Sequence, residues 1–84
     1  MEELTELERK VLKALHKRNI YGRKHLSMDN AVRSDFASHL RGAVREAIFA
    51  LMKKNLVVWY ERGREAIQLN IELKDEIDEI RRTL

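Results

Sequence analysis

Apolar residues in the N-terminal part of the chain recur at spacings of three and four, the repeat of one face of an α-helix. Thr5 and Glu8 stand at the two positions of a capping box, in which each side chain accepts a backbone hydrogen bond at a helix start. Asn19 suits the left-handed residue that follows a helix end. The pattern therefore predicts a helix over residues 5–18.

The next segment is less regular. Residues 20–27 are too short and irregular for a second helix, and they predict a loop that can hold one short edge strand. Ser27 or Asp29 can cap a helix start. The apolar residues that follow predict this second helix over residues 28–36.

The strongest helical pattern comes third. Six of its apolar residues fall within an arc of about 140° when the helix is plotted at about 100° per residue. They are Leu40, Ala43, Val44, Ala47, Ile48 and Leu51. They predict a helix over residues 39–54, and Asn55 repeats the left-handed stop of Asn19. Ser34 and Ser38 can each cap the start of this helix, and Gly42 can instead mark the turn.

The apolar repeat then changes from helical spacing to alternation. Strand-forming residues stand on both sides of a turn at Gly63, which predicts a β-hairpin over residues 56–71. A two-residue loop at Gly63 would place Trp59 on the opposite face of the hairpin from Ile67 and Leu69. Trp59 is therefore expected to face outward.

A narrow apolar seam runs through the charged C-terminal segment, which predicts a helix over residues 73–83. Its members recur at spacings of four, three and four: Leu73, Ile77, Ile80 and Leu84. The seam can fold back on the domain or pair with its copy in a dimer. Its narrowness favours dimerisation, so we expect a homodimer.

Composition narrows the function classes. A chain of 84 residues is long enough for one domain, residues 1–84, because two halves would each be too short to bury a core. It has no cysteine, and its three histidines and three glycines stand apart. They form no metal cluster, phosphate-binding loop or nucleophile motif. We therefore expect no enzyme activity and no cofactor.

The same composition bears on location. No apolar run approaches the roughly 18 residues of a membrane span. Four of the first eight residues are acidic, which argues against a signal peptide. We expect a soluble, cytoplasmic protein with no membrane partner.

Charge is segregated along the chain. The formal net charge is +3, but residues 9–64 hold fourteen Lys and Arg against four acidic residues, a net charge of +10. A basic block of this kind is typical of nucleic-acid binders. It is also typical of the solvated surface of a thermophilic protein, so charge alone favours nucleic acid only slightly.

One segment carries a family resemblance. Residues 48–57 read I-F-A-L-M-K-K-N-L-V, which is similar to the L-x-x-L-x-x-x-G-L-V pattern at the end of a recognition helix in winged helix-turn-helix proteins. Asn55 replaces the usual glycine. The predicted order of helices and hairpin also resembles that superfamily, of the broad kind seen in MarR-like and ArsR-like regulators. The resemblance implies a mainly helical α+β fold with a three-helix core, a two- or three-stranded wing and a C-terminal helix.

In that superfamily the third helix commonly lies in the DNA major groove, and the wing contacts the backbone. The resemblance thus implies double-stranded DNA as the partner and transcription regulation or chromatin association as the role. The candidate base-contacting residues share one face of the third helix: Ser38, Arg41 and Arg45. The candidate backbone contacts are basic residues of the first loop and the wing tip: Lys17, Arg18, Arg23, Lys24, Arg62 and Arg64.

A second function class stays open. A winged helix can also serve as a protein-interaction module within a larger assembly, because a fold does not fix a function. Phe49 and Trp59 are the candidate contacts to a protein partner. Phe49 is exposed in one phase of the third helix and packs against the second helix in another.

Overall fold

The structure, a computed structural model, describes residues 4–34 and 36–82. It is a mainly helical α+β fold, as predicted, with four α-helices and three strands within those residues. The elements are α1 Glu6–Lys17, β1 Leu26–Ser27, α2 Met28–Ser34, α3 Arg41–Lys53, β2 Val57–Glu61, β3 Ala66–Leu69 and α4 Lys74–Arg82. Short 3₁₀ turns occupy Ser38–Leu40, Arg62–Arg64 and Ile71–Leu73.

The helix ends lie close to those predicted. Thr5 and Glu8 form the capping box, and Ser27 caps α2 through its hydroxyl, which accepts a hydrogen bond from the N–H of Asn30. Two boundaries differ from the prediction. Helix α2 ends at Ser34, and α3 is preceded by a separate 3₁₀ turn.

Asparagine in the left-handed conformation ends α1 and α3, as predicted. Asn19 has φ 54° and Asn55 has φ 64°. At the end of α3, the Asn55 N–H donates to the carbonyl of Met52, and the Leu56 N–H donates to that of Leu51, each at 3.0 Å. These two bonds are the Schellman pattern, which satisfies the last carbonyls and turns the chain into β2.

The antiparallel sheet has the strand order β1-β3-β2, so β2 is an edge strand. Trp59 pairs with Ile67 and Val57 pairs with Leu69. Directly paired residues share a face of the sheet, so Trp59 lies on the buried face and the expectation that it faces outward is wrong. The connection at Arg62–Glu65 is longer than two residues, and the register shifts between Trp59 and Glu61, which reverses the predicted faces.

The core lies between the helices and the inner face of the sheet. Helix α3 packs on α1 and α2, and it contributes three side chains without solvent exposure: Val44, Ile48 and Leu51. Its opposite side is therefore free for solvent or a partner. The Lys54 ammonium group, at the C-terminus of α3, donates to the Glu8 carboxylate at 2.6 Å.

Helix α4 folds back on its own domain, which contradicts the use of its apolar seam for dimerisation. Ile77 is fully buried, Ile80 is 8% exposed and Leu73 packs against the same core. The fourth seam residue, Leu84, lies outside the described residues. A small domain has little apolar surface with which to build a core, so the seam is used within the chain. The narrowness of the stripe therefore does not indicate dimerisation here.

Polar contacts reinforce this packing of α4 on α1. The His16 Nε2 atom lies 2.8 Å from a carboxylate oxygen of Asp78, and Lys74 donates to the other carboxylate oxygen at 3.2 Å. Hydrogen bonds from His16 and Lys74 lower the pKa of Asp78. Burial, together with the Asp78 charge, raises the pKa of Tyr21, whose ring lies edge-on to His16.

Candidate nucleic-acid interface

The exposed side of α3 carries the residues predicted to contact bases. Arg41 and Arg45 are four residues apart on the helix, so their side chains leave the same face one turn apart. Ser38 is exposed in the 3₁₀ turn just before the helix. All three residues are exposed, so each is accessible to a partner. Arg41 makes no ion pair with any residue in the described part of the chain.

An ion pair links this face to the tip of the β2–β3 hairpin. The Nη1 atom of Arg45 lies 3.7 Å from the carboxylate of Glu65, and both side chains are about half exposed. At that distance the contact is electrostatic rather than a hydrogen bond. It places a negative charge between two basic elements, and the sequence pattern gave no indication of this contact.

The hairpin tip projects two arginines into solvent. Arg62 and Arg64 lie in the 3₁₀ turn, and Arg64 pairs with Glu61 at 3.6 Å. The left-handed residue of the turn is Glu65, with φ 51°, and not Gly63. The longer connection has moved this conformation to the last residue before β3.

The remaining predicted backbone contacts lie beside the other edge of the sheet. They are exposed residues at the end of α1 and in the loop before β1: Lys17, Arg18, Arg23 and Lys24. This loop follows β3, because the carbonyl of Ile20 accepts a hydrogen bond from the N–H of Leu69 and β1 pairs with β3. The predicted contacts thus form a loop group and a tip group, which are separate in the sequence.

His25 joins these two groups in space. It lines one shallow pocket with Arg23 and Lys24, and it lines the adjoining pocket with Arg64. Its ring is stacked on that of Tyr60, with centroids 4.1 Å apart and planes 9° from parallel. No sequence pattern indicates the contact of His25 with Tyr60, because only the sheet brings these two positions together.

The aromatic pair proposed to contact a protein lies on the other side of the hairpin. Phe49 is 41% exposed and does not pack away against α2. Its ring centroid lies 6.4 Å from that of the half-buried Trp59. The two rings line a shallow groove of about 470 Å³ between the C-terminal half of α3 and β2. The other lining residues are Met52, Lys53, Val57 and Val58.

Neither a metal centre nor a membrane span is found in the described ranges. No group of three His, Cys, Asp or Glu side chains within residues 4–34 and 36–82 could hold a metal ion. Across the same ranges, no helix has the length and apolar character needed to cross a membrane.

Comparison with models of known protein families, with curated proteins and with solved structures finds no match. A function can therefore be inferred only from the surfaces described above.

Proposed function

We propose that this protein binds double-stranded DNA as a winged helix-turn-helix protein and acts as a small transcription regulator or chromatin-associated factor. Helix α3 would lie in the major groove, and the β2–β3 hairpin would be the wing that contacts the backbone. The single observation that carries this proposal is the exposed arginine face of α3 beside the basic hairpin tip. The order of elements, with β1 between α1 and α2 and the hairpin after α3, supports the same proposal.

The dimensions of α3 suit a major groove. A helix with its side chains is about 10–12 Å across, and the major groove of B-DNA is about 12 Å wide. Arg41 and Arg45 are separated by a rise of about 6 Å along the helix, close to two base-pair steps. Each guanidinium group can donate to O6 and N7 of one guanine, so the two arginines can read nearby bases.

The exposed basic residues of the hairpin tip and the first loop would bind phosphates. Contacts to phosphate fix the position of a protein on the duplex without reading its sequence. The described residues extend over 28 × 27 × 21 Å. One copy is therefore shorter than a helical turn of DNA, about 34 Å, and can read only a few base pairs.

A protein-interaction module is the second candidate. The exposed ring of Phe49 beside Trp59 favours it, because aromatic side chains are enriched at protein interfaces. If the wild type does not bind DNA at low salt and a protein partner binds at this groove, the results favour this alternative.

Alanine variants of the α3 arginines test the DNA proposal. A binding sequence is first selected from random duplexes, and Arg41→Ala and Arg45→Ala are each expected to cost about 1–3 kcal/mol at that site. Arg62→Ala and Arg64→Ala should weaken binding to all sequences alike. Arg82→Ala, an equal loss of charge on α4, is the control. If it weakens binding as much as the α3 variants, the assignment of α3 as the reading helix is wrong.

A further inference from the structure

The outer edge of β2 is open. Within residues 4–34 and 36–82, the order β1-β3-β2 pairs this strand on one side only, so part of its backbone N–H and C=O groups point away from the sheet. Its sequence from Val57 to Glu61 contains no proline, and only Glu61 is charged. Such an edge is a template for pairing with another strand.

The apolar groove described above is continuous with this edge. Val57, Val58 and Trp59 belong to both, while Phe49 extends the apolar surface onto α3. The charged side chains are at opposite ends. Lys53 lines the groove near the start of β2, and Glu61 ends the strand.

We infer that a second copy of this chain docks here, with the two β2 strands paired antiparallel around a twofold axis near Val58 and Trp59. A twofold contact must be complementary to itself. An antiparallel partner reverses the direction of the strand and brings the partner's Glu61 to the end where Lys53 lies. Symmetry repeats this opposite-charge contact at the other end. A parallel partner would instead bring like charges together.

This surface is separate from the seam of α4 and from the arginine face of α3, and it meets the hairpin tip at Glu61, which pairs with Arg64 at 3.6 Å. The seam of α4 is already used within the chain, because Ile77 is fully buried. The arginines proposed to contact bases lie on the N-terminal half of α3, whereas Phe49 and Lys53 lie on its C-terminal half. The two surfaces use different halves of α3, so the pairing of β2 can be tested without DNA.

Charge reversal gives a test with its own rescue. Sedimentation equilibrium of the full chain is expected to show a monomer–dimer equilibrium up to high micromolar concentration. Lys53→Glu and Glu61→Lys should each raise the dissociation constant roughly tenfold, because two attractive contacts become repulsive. An equimolar mixture of the two variants should recover association, since each end of the heterodimer again has opposite charges. Lys13→Glu makes the same charge change on exposed α1 and should have no effect.

The emission of Trp59 gives a second readout, since it is the only tryptophan of the chain. It should shift to shorter wavelength with rising concentration in the wild type, and much less in Lys53→Glu. A wild type that stays monomeric at high micromolar concentration would overturn the inference. The inference would also be overturned if neither charge reversal changed the dissociation constant of the dimer. It would be overturned as well if a mixture of the two variants did not recover association.

Discussion

Replacing Glu65 by glutamine should tighten the binding of duplex DNA. The Glu65 carboxylate lies beside Arg45 and next to the hairpin tip, which is the element that the proposal places on the DNA backbone. The variant removes one negative charge from that position and frees Arg45 from its ion pair. Glutamine and glutamate have similar backbone preferences, so the substitution should not change the strain of the left-handed conformation at position 65.

The size of the effect follows from the geometry. A phosphate bound at the hairpin tip would be roughly 7 Å from the Glu65 carboxylate, and two unit charges at that distance in water repel by about 0.6 kcal/mol. Salt at about 0.1 M screens roughly half of that repulsion. The exposed ion pair that must be broken is worth about 0.2–1 kcal/mol. The sum is about 0.5–1.3 kcal/mol, or a roughly two- to ninefold gain in affinity.

Fluorescence anisotropy with a labelled duplex measures this gain. Glu72→Gln is the matched control, because it makes the same chemical change in an exposed residue beyond the far end of β3. If both variants bind DNA with the same affinity, then net charge rather than position accounts for the gain. An unchanged or weaker affinity for Glu65→Gln would refute the placement of DNA between α3 and the hairpin.

Two further predictions concern stability. Glu8→Gln should lower the free energy of unfolding at neutral pH by about 1–3 kcal/mol, because it breaks a buried pair whose Lys54 partner keeps some access to water. Burial raises the pKa of Glu8, but hydrogen bonds from Lys54 and Thr5 outweigh it and leave the pKa below its ordinary value of 4.5. Because the pKa of Glu8 is lower in the folded than in the unfolded protein, its carboxylate stabilises the fold at pH values above the unfolded pKa. The difference in free energy of unfolding between wild type and Glu8→Gln, measured by urea titration, should therefore shrink as the pH falls below 4.5. Ile77→Ala should lower the free energy of unfolding by about 2–5 kcal/mol, because it leaves a cavity at a fully buried site. Thermal denaturation checks this, and an unchanged melting temperature would contradict the packing of α4 on its own core.

The local signals in the sequence predict the helices and their ends. The capping box at Thr5 and the asparagines at positions 19 and 55 act within one or two turns of chain, so their effects can be derived from neighbouring residues. The faces of the hairpin could not be derived in this way. They depend on a register shift and a longer connection before Glu65, and a shift of one residue exchanges the two faces.

In the candidate site, too, some features follow from neighbouring residues and others depend on tertiary packing. The exposed face of α3 follows from helical periodicity, which places Arg41 and Arg45 outside the apolar arc that holds the buried Val44 and Ile48. The contact of Arg45 with Glu65 depends on tertiary packing, as does the stacking of His25 on Tyr60. The narrowness of the apolar stripe of α4 favoured dimerisation, whereas the folded core shows that the stripe packs within its own chain.

The salt dependence of binding to random duplex DNA tests the central proposal most directly. The affinity of the wild type should fall linearly with salt on logarithmic axes between about 50 and 200 mM, with a slope of roughly −2 to −5 for two to six phosphate contacts. A double variant, Arg62→Ala with Arg64→Ala, should make that slope shallower by about 2. Absence of measurable affinity near 50 mM salt would contradict DNA binding and favour the protein-interaction alternative.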